Sequence, residues 1–67
     1  MKNKLTKTEI KILGLIAQGY TDKEISKIVA RAKNTIHVHN TNIKRKLGVD
    51  NRVKMAIYAI KNGIVKI

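Results

Sequence analysis

The sequence predicts an all-α domain: a bundle of four helices joined by short turns. Three observations support this prediction. Apolar residues recur at the three- and four-residue spacing of amphipathic helices along most of the 67-residue chain. The helix-start pattern Thr-x-x-Glu occurs twice. Glycines separate the apolar stretches, and proline is absent. A chain of this length forms one domain, so residues 1–67 are treated as a single unit.

The first helix is predicted over residues 6–18. Thr6 is a candidate N-cap and Glu9 completes a capping box three residues later. Leu5 is placed to pack on Ile10 as a hydrophobic staple. The predicted buried stripe consists of Ile10, Leu13, Ile16 and Ala17.

The second and third helices follow each other closely. The second is predicted over residues 21–30, with Thr21 and Glu24 as its capping box. Its predicted inward residues are Ile25, Ile28 and Val29. The third is predicted over residues 33–47 and ends at Gly48, a suitable left-handed C-cap. Two helices joined by so short a turn, the second of them basic, form a helix-turn-helix pattern.

The fourth helix is predicted over residues 51–62, with Asp50 or Asn51 as its cap. Its predicted core stripe consists of Val53, Ile57, Ile60 and Ile64. A second face has smaller residues that a monomer of this size need not bury. We interpret this face either as ordinary surface or packing against the C-terminal tail, or as a homodimer interface, and it consists of Met55, Ala56 and Ala59.

The third helix has two unlike faces. A step of ~100° per residue places Ile36, Ile43 and Leu47 on one side. The opposite row contains hydrogen-bonding side chains, one cation and one valine: Asn34, His37, Val38, Thr41 and Arg45. This row suits the major groove of DNA, where base edges present donors, acceptors and thymine methyl groups.

Composition narrows the class of partner. The net charge of +11, from 15 Lys and Arg against 4 Asp and Glu, indicates a polyanion. Lys33, Lys44 and Arg45 are therefore expected to contact phosphates. No apolar run approaches membrane-spanning length and no signal-peptide pattern follows Met1, so we expect a cytoplasmic protein without a membrane partner.

Neither catalysis nor metal binding is expected. The chain has four carboxylates, Glu9, Asp22, Glu24 and Asp50. All four are accounted for by caps or helix starts. Cysteine is absent, and His37 and His39 point ~200° apart on a helix, so they cannot share one ion. His39 borders the core face and is expected to pack or hydrogen-bond there. No cofactor or small-molecule ligand is predicted, and the predicted partner is double-stranded DNA.

The chain resembles the LuxR/GerE-type DNA-binding domain of bacterial transcription regulators. The matching residues cover nearly the whole chain in one register: Leu5-Thr6, Glu9, Leu13, Gly19, Lys23-Glu24-Ile25, Val29, Thr35-Ile36, His39, Ile43, Lys46-Leu47-Gly48-Val49, Arg52, Ala56 and Gly63-Ile64. The resemblance implies that the third helix lies in the major groove and the fourth dimerises. It also implies binding to paired half-sites near promoters.

The resemblance assigns DNA contacts to individual residues. His37, Val38 and Thr41 fall where family members contact base edges, in agreement with the outward row of the third helix. Thr35 falls where they hold the DNA backbone, and the start of the second helix falls near phosphates. With the flanking polar and basic residues, the predicted backbone contacts are Thr21, Lys23, Lys33, Asn34, Thr35, Lys44 and Arg45.

Three positions depart from the family pattern, which usually has an apolar residue at Arg31, Ser or Thr at Ala32, and Lys or Arg at His37. An alanine side chain cannot accept the capping hydrogen bond, and the loss of a side-chain cap destabilises a helix by about 0.5–2 kcal/mol. The first turn of the third helix is therefore expected to fray without DNA. It would order on DNA, where Arg31 would meet a phosphate. A histidine in place of a permanent cation predicts that DNA affinity rises as the pH falls.

The leading prediction is a sequence-specific, dimeric transcription regulator, and two alternatives stay open. An interaction protein would heterodimerise with another regulator through the last helix, but it would not need the basic third helix. A non-specific nucleoid or RNA-binding protein would need the charge but no residues for base contact. The domain follows directly after Met1, which favours a free-standing regulator over an excised domain.

Overall fold

The computed structural model describes residues 5–65. It contains four helices: α1 Lys7–Ala17, α2 Asp22–Ile28, α3 Lys33–Leu47 and α4 Arg52–Lys61. No strand occurs in this part of the chain. The predicted all-α class and the number of helices are confirmed. No helix among residues 5–65 is long and apolar enough to cross a membrane.

Both predicted capping boxes are present. At α1, the amide of Glu9 donates to Oγ1 of Thr6 at 3.1 Å, and the amide of Thr6 donates to Oε1 of Glu9 at 2.9 Å. The same exchange joins Thr21 and Glu24 at α2, at 3.2 and 2.8 Å. Each box satisfies N–H groups that a helix start leaves unpaired. Local sequence therefore determines where these two helices begin.

The third helix has an uncapped start and a strong stop. Ala32 adopts the extended backbone of an N-cap but supplies no side-chain hydrogen bond, as predicted. Gly48 ends the helix in the left-handed conformation, at φ 70° and ψ 31°, which glycine adopts without a Cβ clash. At α4, Oδ1 of Asn51 accepts from the amide of Lys54 at 2.8 Å, so the cap is the second of the two predicted candidates.

One aliphatic core lies between the helices. The first helix packs on each of the other three, the second packs on the third, and the fourth packs chiefly on the first. Helix α1 is thus the central element. The buried apolar residues are Ile12, Leu13, Ile16, Ile25, Ile36, Ile43, Met55 and Ala59. Several half-buried residues pack around them, including Leu5, Ala17, Val29, Leu47 and Ile64.

The predicted inward faces of α1 and α2 need correction. Ile10 is exposed, whereas Ile12, two residues on, is fully buried. These two isoleucines lie on different sides of the helix, so apolar spacing alone left two possible faces. The staple partner of Leu5 is therefore not a core residue. In α2, Ile25 is buried but Ile28 is exposed, so this helix contributes one buried side chain to the core.

The two faces of α4 are exchanged relative to the prediction. Met55 and Ala59 are 1% and 0% exposed. Of the four residues predicted for the core, Val53, Ile57 and Ile60 are instead exposed, at 68%, 47% and 40%. Ile64, beyond the end of the helix, is half-buried against the core. Both faces have helical spacing, and the face with the alanine is the one that packs against α1. Met55 and Ala59 are therefore buried within the chain and are withdrawn from the predicted dimer interface. Ala56 is half-buried, and its place in a dimer interface stays a prediction.

Candidate nucleic-acid interface

The outward row of α3 forms an exposed polar surface, which we call the α3 front. Its residues, Asn34, His37, Val38, Thr41 and Arg45, are all exposed, and Val38 is 55% exposed. On the opposite side, Ile36 and Ile43 are fully buried. The same helical period that buries the isoleucines turns the front outward. The three predicted base-contact residues therefore lie together on one accessible surface.

Side chains of the α3 front make few bonds within the chain. Oγ1 of Thr41 donates to the carbonyl oxygen of His37 at 3.1 Å. This bond uses the hydroxyl proton and leaves acceptor capacity on the oxygen. Nη1 of Arg45 lies 3.5 Å from Oδ1 of Asn42, a long and weak bond. Thr41 and Arg45 therefore both keep hydrogen-bonding capacity on the exposed side of α3.

The predicted backbone-contact residues lie on two elements. Thr21 and Lys23 are exposed at the start of α2, and the other five lie on α3. Among those five, Thr35 and Lys44 are half-buried and the rest are exposed. The hydroxyl oxygen of Thr21 accepts the capping hydrogen bond from the amide of Glu24, and the hydroxyl proton stays available to donate. None of the seven residues is buried.

A polar network that the sequence analysis missed joins α2, α3 and α4. Nδ2 of Asn40 donates to Oδ1 of Asp22 at 2.8 Å. Nη1 of Arg52 donates to the same oxygen at 2.9 Å, and its Nη2 donates to the carbonyl oxygen of Tyr20 at 2.7 Å. One signal was visible, because Asn40 lies four residues after Ile36 in the buried row of α3.

The network lowers the pKa of Asp22. Burial alone would raise the pKa of Asp22. The hydrogen bonds from Arg52 and Asn40 outweigh it, helped by the positive charge of Arg52 and a smaller effect of the nearby His37, so the pKa lies below its ordinary value of 3.8. Asp22 is therefore ionised at neutral pH.

The two histidines have different environments. His37 is exposed on the α3 front, whereas His39 is half-buried and its buried Nδ1 has no hydrogen-bond partner. Within residues 5–65, no three His, Cys, Asp or Glu side chains are grouped to hold a metal ion. The α3 front and the candidate backbone-contact residues are polar or basic, with one valine among them.

Comparison with known proteins gives consistent matches. The model of the GerE family, described as bacterial regulatory proteins of the luxR family, matches residues 3–59. The chain is 46% identical over 61 residues to the transcriptional regulatory protein LiaR of Bacillus subtilis, covering 91% of this chain and 29% of that protein. It is 37% identical over 62 residues to the oxygen regulatory protein NreC of Staphylococcus aureus, covering 92% and 29%. The chain thus spans less than a third of the length of these relatives.

Proposed function

The chain belongs to the luxR family of bacterial regulatory proteins, and we propose that it is the sequence-specific DNA-binding unit of a transcription regulator, acting at the nucleoid of the bacterial cytoplasm. Members of this family are DNA-binding regulators of transcription rather than enzymes. One observation supports the proposal above all others: every residue of the α3 front is exposed, while Ile36 and Ile43 on the opposite side of the same helix are fully buried. A helix of this kind fits the width of the major groove.

Three side chains of the α3 front are proposed to contact bases. The imidazole of His37 offers a donor and an acceptor, and the hydroxyl of Thr41 accepts or donates. Val38 is the only apolar member of the front, and its exposure suits contact with a thymine methyl group. Together these residues cover the three kinds of chemistry that base edges present.

Phosphate contacts are proposed from both α2 and α3. Thr21 and Lys23 would hold the backbone from α2, and Lys33, Asn34, Thr35, Lys44 and Arg45 would hold it from α3. The net charge of +11 supports this role, because each cation that neutralises a phosphate releases a counterion and strengthens binding at low salt.

Dimerisation is proposed through the exposed face of α4. We define this face by Val53, Ile57 and Ile60, which replace Met55 and Ala59 of the sequence prediction. Three aliphatic side chains at helical spacing, each at least 40% exposed, form an apolar stripe that a second copy would cover. A two-fold dimer would place two copies of α3 on paired half-sites.

Selection from a random duplex library at physiological salt tests sequence specificity. The wild-type chain should enrich one motif, and two inverted copies of it would indicate a dimer. Thr41→Ala should relax the preference at one base pair, at a cost of about 1–3 kcal/mol. Arg45→Ala should instead weaken binding to the selected and a shuffled sequence equally. Equal losses on both sequences for both variants would favour non-specific nucleoid binding.

The dimer proposal has its own matched test. Ile57→Lys should weaken self-association in sedimentation equilibrium and reduce the preference for two half-sites over one. Ile10→Lys adds the same charge at a comparably exposed isoleucine on α1 and should leave both measurements unchanged. Equal sedimentation of the wild-type chain and Ile57→Lys would argue against dimerisation through this face.

A second candidate function rests on the same α4 face. Its exposed aliphatic residues would also suit heterodimerisation with another regulator. Under that function, substitutions on the α3 front would leave activity unchanged, and no motif would be enriched from random DNA. The selection experiment therefore separates the two candidates.

A further inference from the structure

Helix α4 is joined to the helix-turn-helix pair mainly through α1. The fourth helix packs chiefly on α1, whereas α3 packs on both α1 and α2. Helix α1 thus packs against both α3 and α4, and buried side chains of α3 and α4 share its core. The polar network adds a second connection between α3 and α4, made of hydrogen bonds that meet at the start of α2. Arg52, the first residue of α4, bonds to Asp22, the first residue of α2, and Asp22 bonds to Asn40 in α3.

The position of Asn40 makes this network unusual. Asn40 is 6% exposed, and its Oδ1 atom has no partner. An apolar side chain at this place in the buried row would avoid the cost of burying an amide. The amide differs from an apolar side chain in one useful respect, because its hydrogen bond to Asp22 has a preferred direction. Such a bond restricts how α3 rotates about its own axis.

We propose that Asp22 is a positioning residue for DNA recognition, which fixes the orientation of α3 relative to α4 by accepting hydrogen bonds from both Asn40 and Arg52. This inference rests on the proposed function. Asn40 lies between His37 and Thr41 along α3, so a rotation of the helix at Asn40 displaces both base-contact residues. The same network sets the angle between the DNA-contacting helix and the α4 face of each protomer.

Two variants remove one arm of the network each. Arg52→Met removes both hydrogen bonds of the guanidinium, and Asn40→Leu removes the amide while filling the buried position with an apolar side chain. Lys54→Met is the matched control. Lys54 lies on α4, as Arg52 does, and its substitution also removes one positive charge. The change breaks only the exposed ion pair between Nζ of Lys54 and Oδ1 of Asp50 at 3.1 Å.

The first measurement is DNA discrimination. It compares affinity for the sequence most enriched by the wild-type chain with affinity for its shuffled version. Arg52→Met and Asn40→Leu should each lower this ratio about tenfold, a loss comparable to one mismatched base pair. Lys54→Met should lower both affinities equally and leave the ratio within about twofold of wild type. Thermal unfolding checks that all three variants remain folded at the assay temperature.

The second measurement needs no DNA. Residual dipolar couplings of backbone amides in the free protein give the relative orientation of α3 and α4. A changed orientation in Arg52→Met and Asn40→Leu, but not in Lys54→Met, is the expected result. An unchanged orientation in both network variants would overturn the inference, and so would an unchanged discrimination ratio despite reorientation. If the wild-type chain enriches no sequence, the proposed function fails, and the couplings still decide whether the network orients α3.

Discussion

Oε1 of Glu9 accepts hydrogen bonds from two different parts of the chain. The amide of Thr6 donates to it at 2.9 Å, which closes the capping box of α1, and Nζ of Lys46 donates to it at 2.7 Å from the last turn of α3. The Glu9 side chain is 5% exposed, whereas that of Lys46 is 30% exposed. One carboxylate oxygen therefore both caps the start of α1 and attaches the end of α3 to it.

Lys46→Met should destabilise the fold. The substitution keeps the aliphatic length of the side chain but leaves the buried carboxylate of Glu9 without its cation. A buried polar group that loses its partner costs about 1–3 kcal/mol, so we expect a decrease of that size in the free energy of unfolding measured in urea. Lys11→Met removes the same charge at an exposed position of α1 and should change it by less than about 0.5 kcal/mol. Equal effects of the two variants would contradict this account.

Stability should decrease in acid because of Glu9 and Asp22. Burial would raise the pKa of Glu9, but its bonds to Lys46 and Thr6 outweigh burial, so this pKa lies below its ordinary value of 4.5. The pKa of Asp22 likewise lies below its ordinary value of 3.8. A carboxyl with a lowered pKa stabilises the fold fully above its ordinary value, and this contribution is lost as the pH falls through the folded value.

Urea unfolding between about pH 6 and about pH 2 measures this loss. The free energy of unfolding should fall most steeply below the ordinary value of 3.8. Glu9→Gln should be less stable than wild type at neutral pH and should show a shallower decrease in acid. A wild-type free energy that stays constant across this range would rule out a role for these carboxyls.

Ala30→Gly should stabilise the turn between α2 and α3. Ala30 is the only non-glycine residue with positive φ in the described part of the chain, at 55°. The amide of the next residue, Arg31, donates to the carbonyl oxygen of Ser26 at 3.0 Å, as in a Schellman ending. Because the left-handed conformation costs an alanine about 1–2 kcal/mol, glycine should raise the free energy of unfolding by about 1 kcal/mol. Ala56→Gly, inside α4, should instead lower it by a similar amount.

Ala32→Ser should stabilise the start of α3. Ala32 already has the extended backbone of an N-cap, with φ −63° and ψ 147°, and lacks only the side-chain acceptor. Adding one should contribute about 0.5–2 kcal/mol. In hydrogen exchange of the free wild-type protein, amides 33–36 should exchange faster than amides 43–46, and the serine should slow the first group alone. Equal protection of both groups in the wild-type chain would exclude fraying.

Helix starts and the two faces of α3 followed from the sequence because local chemistry decides them. Thr6 and Thr21 each cap a helix with a glutamate three residues away, so nearest neighbours in the chain suffice. Ile36 and Ile43 lie on one side of α3 while the polar row lies on the other, so the pattern had one solution. The exposed α3 front was predictable for the same reason.

The buried face of α4 was not predictable in this way. Both sides of that helix are apolar, and only the fit against α1 selected Met55 and Ala59 over Val53, Ile57 and Ile60. Ile10 and Ile12 presented the same ambiguity in α1. Periodicity indicates which residues share a face, but the choice between two apolar faces depends on the shape of the partner helix.

The sequence by itself thus determined the four helices, their starts and the surface proposed to contact DNA, because short-range capping and helical period need no tertiary information. Only the tertiary structure brought Asp22, Asn40 and Arg52 together, across sequence separations of 18 and 30 residues. It also left the apolar face of α4 exposed rather than buried. Both outcomes depend on how the helices pack around α1, and such long-range packing leaves no periodic signal in the chain.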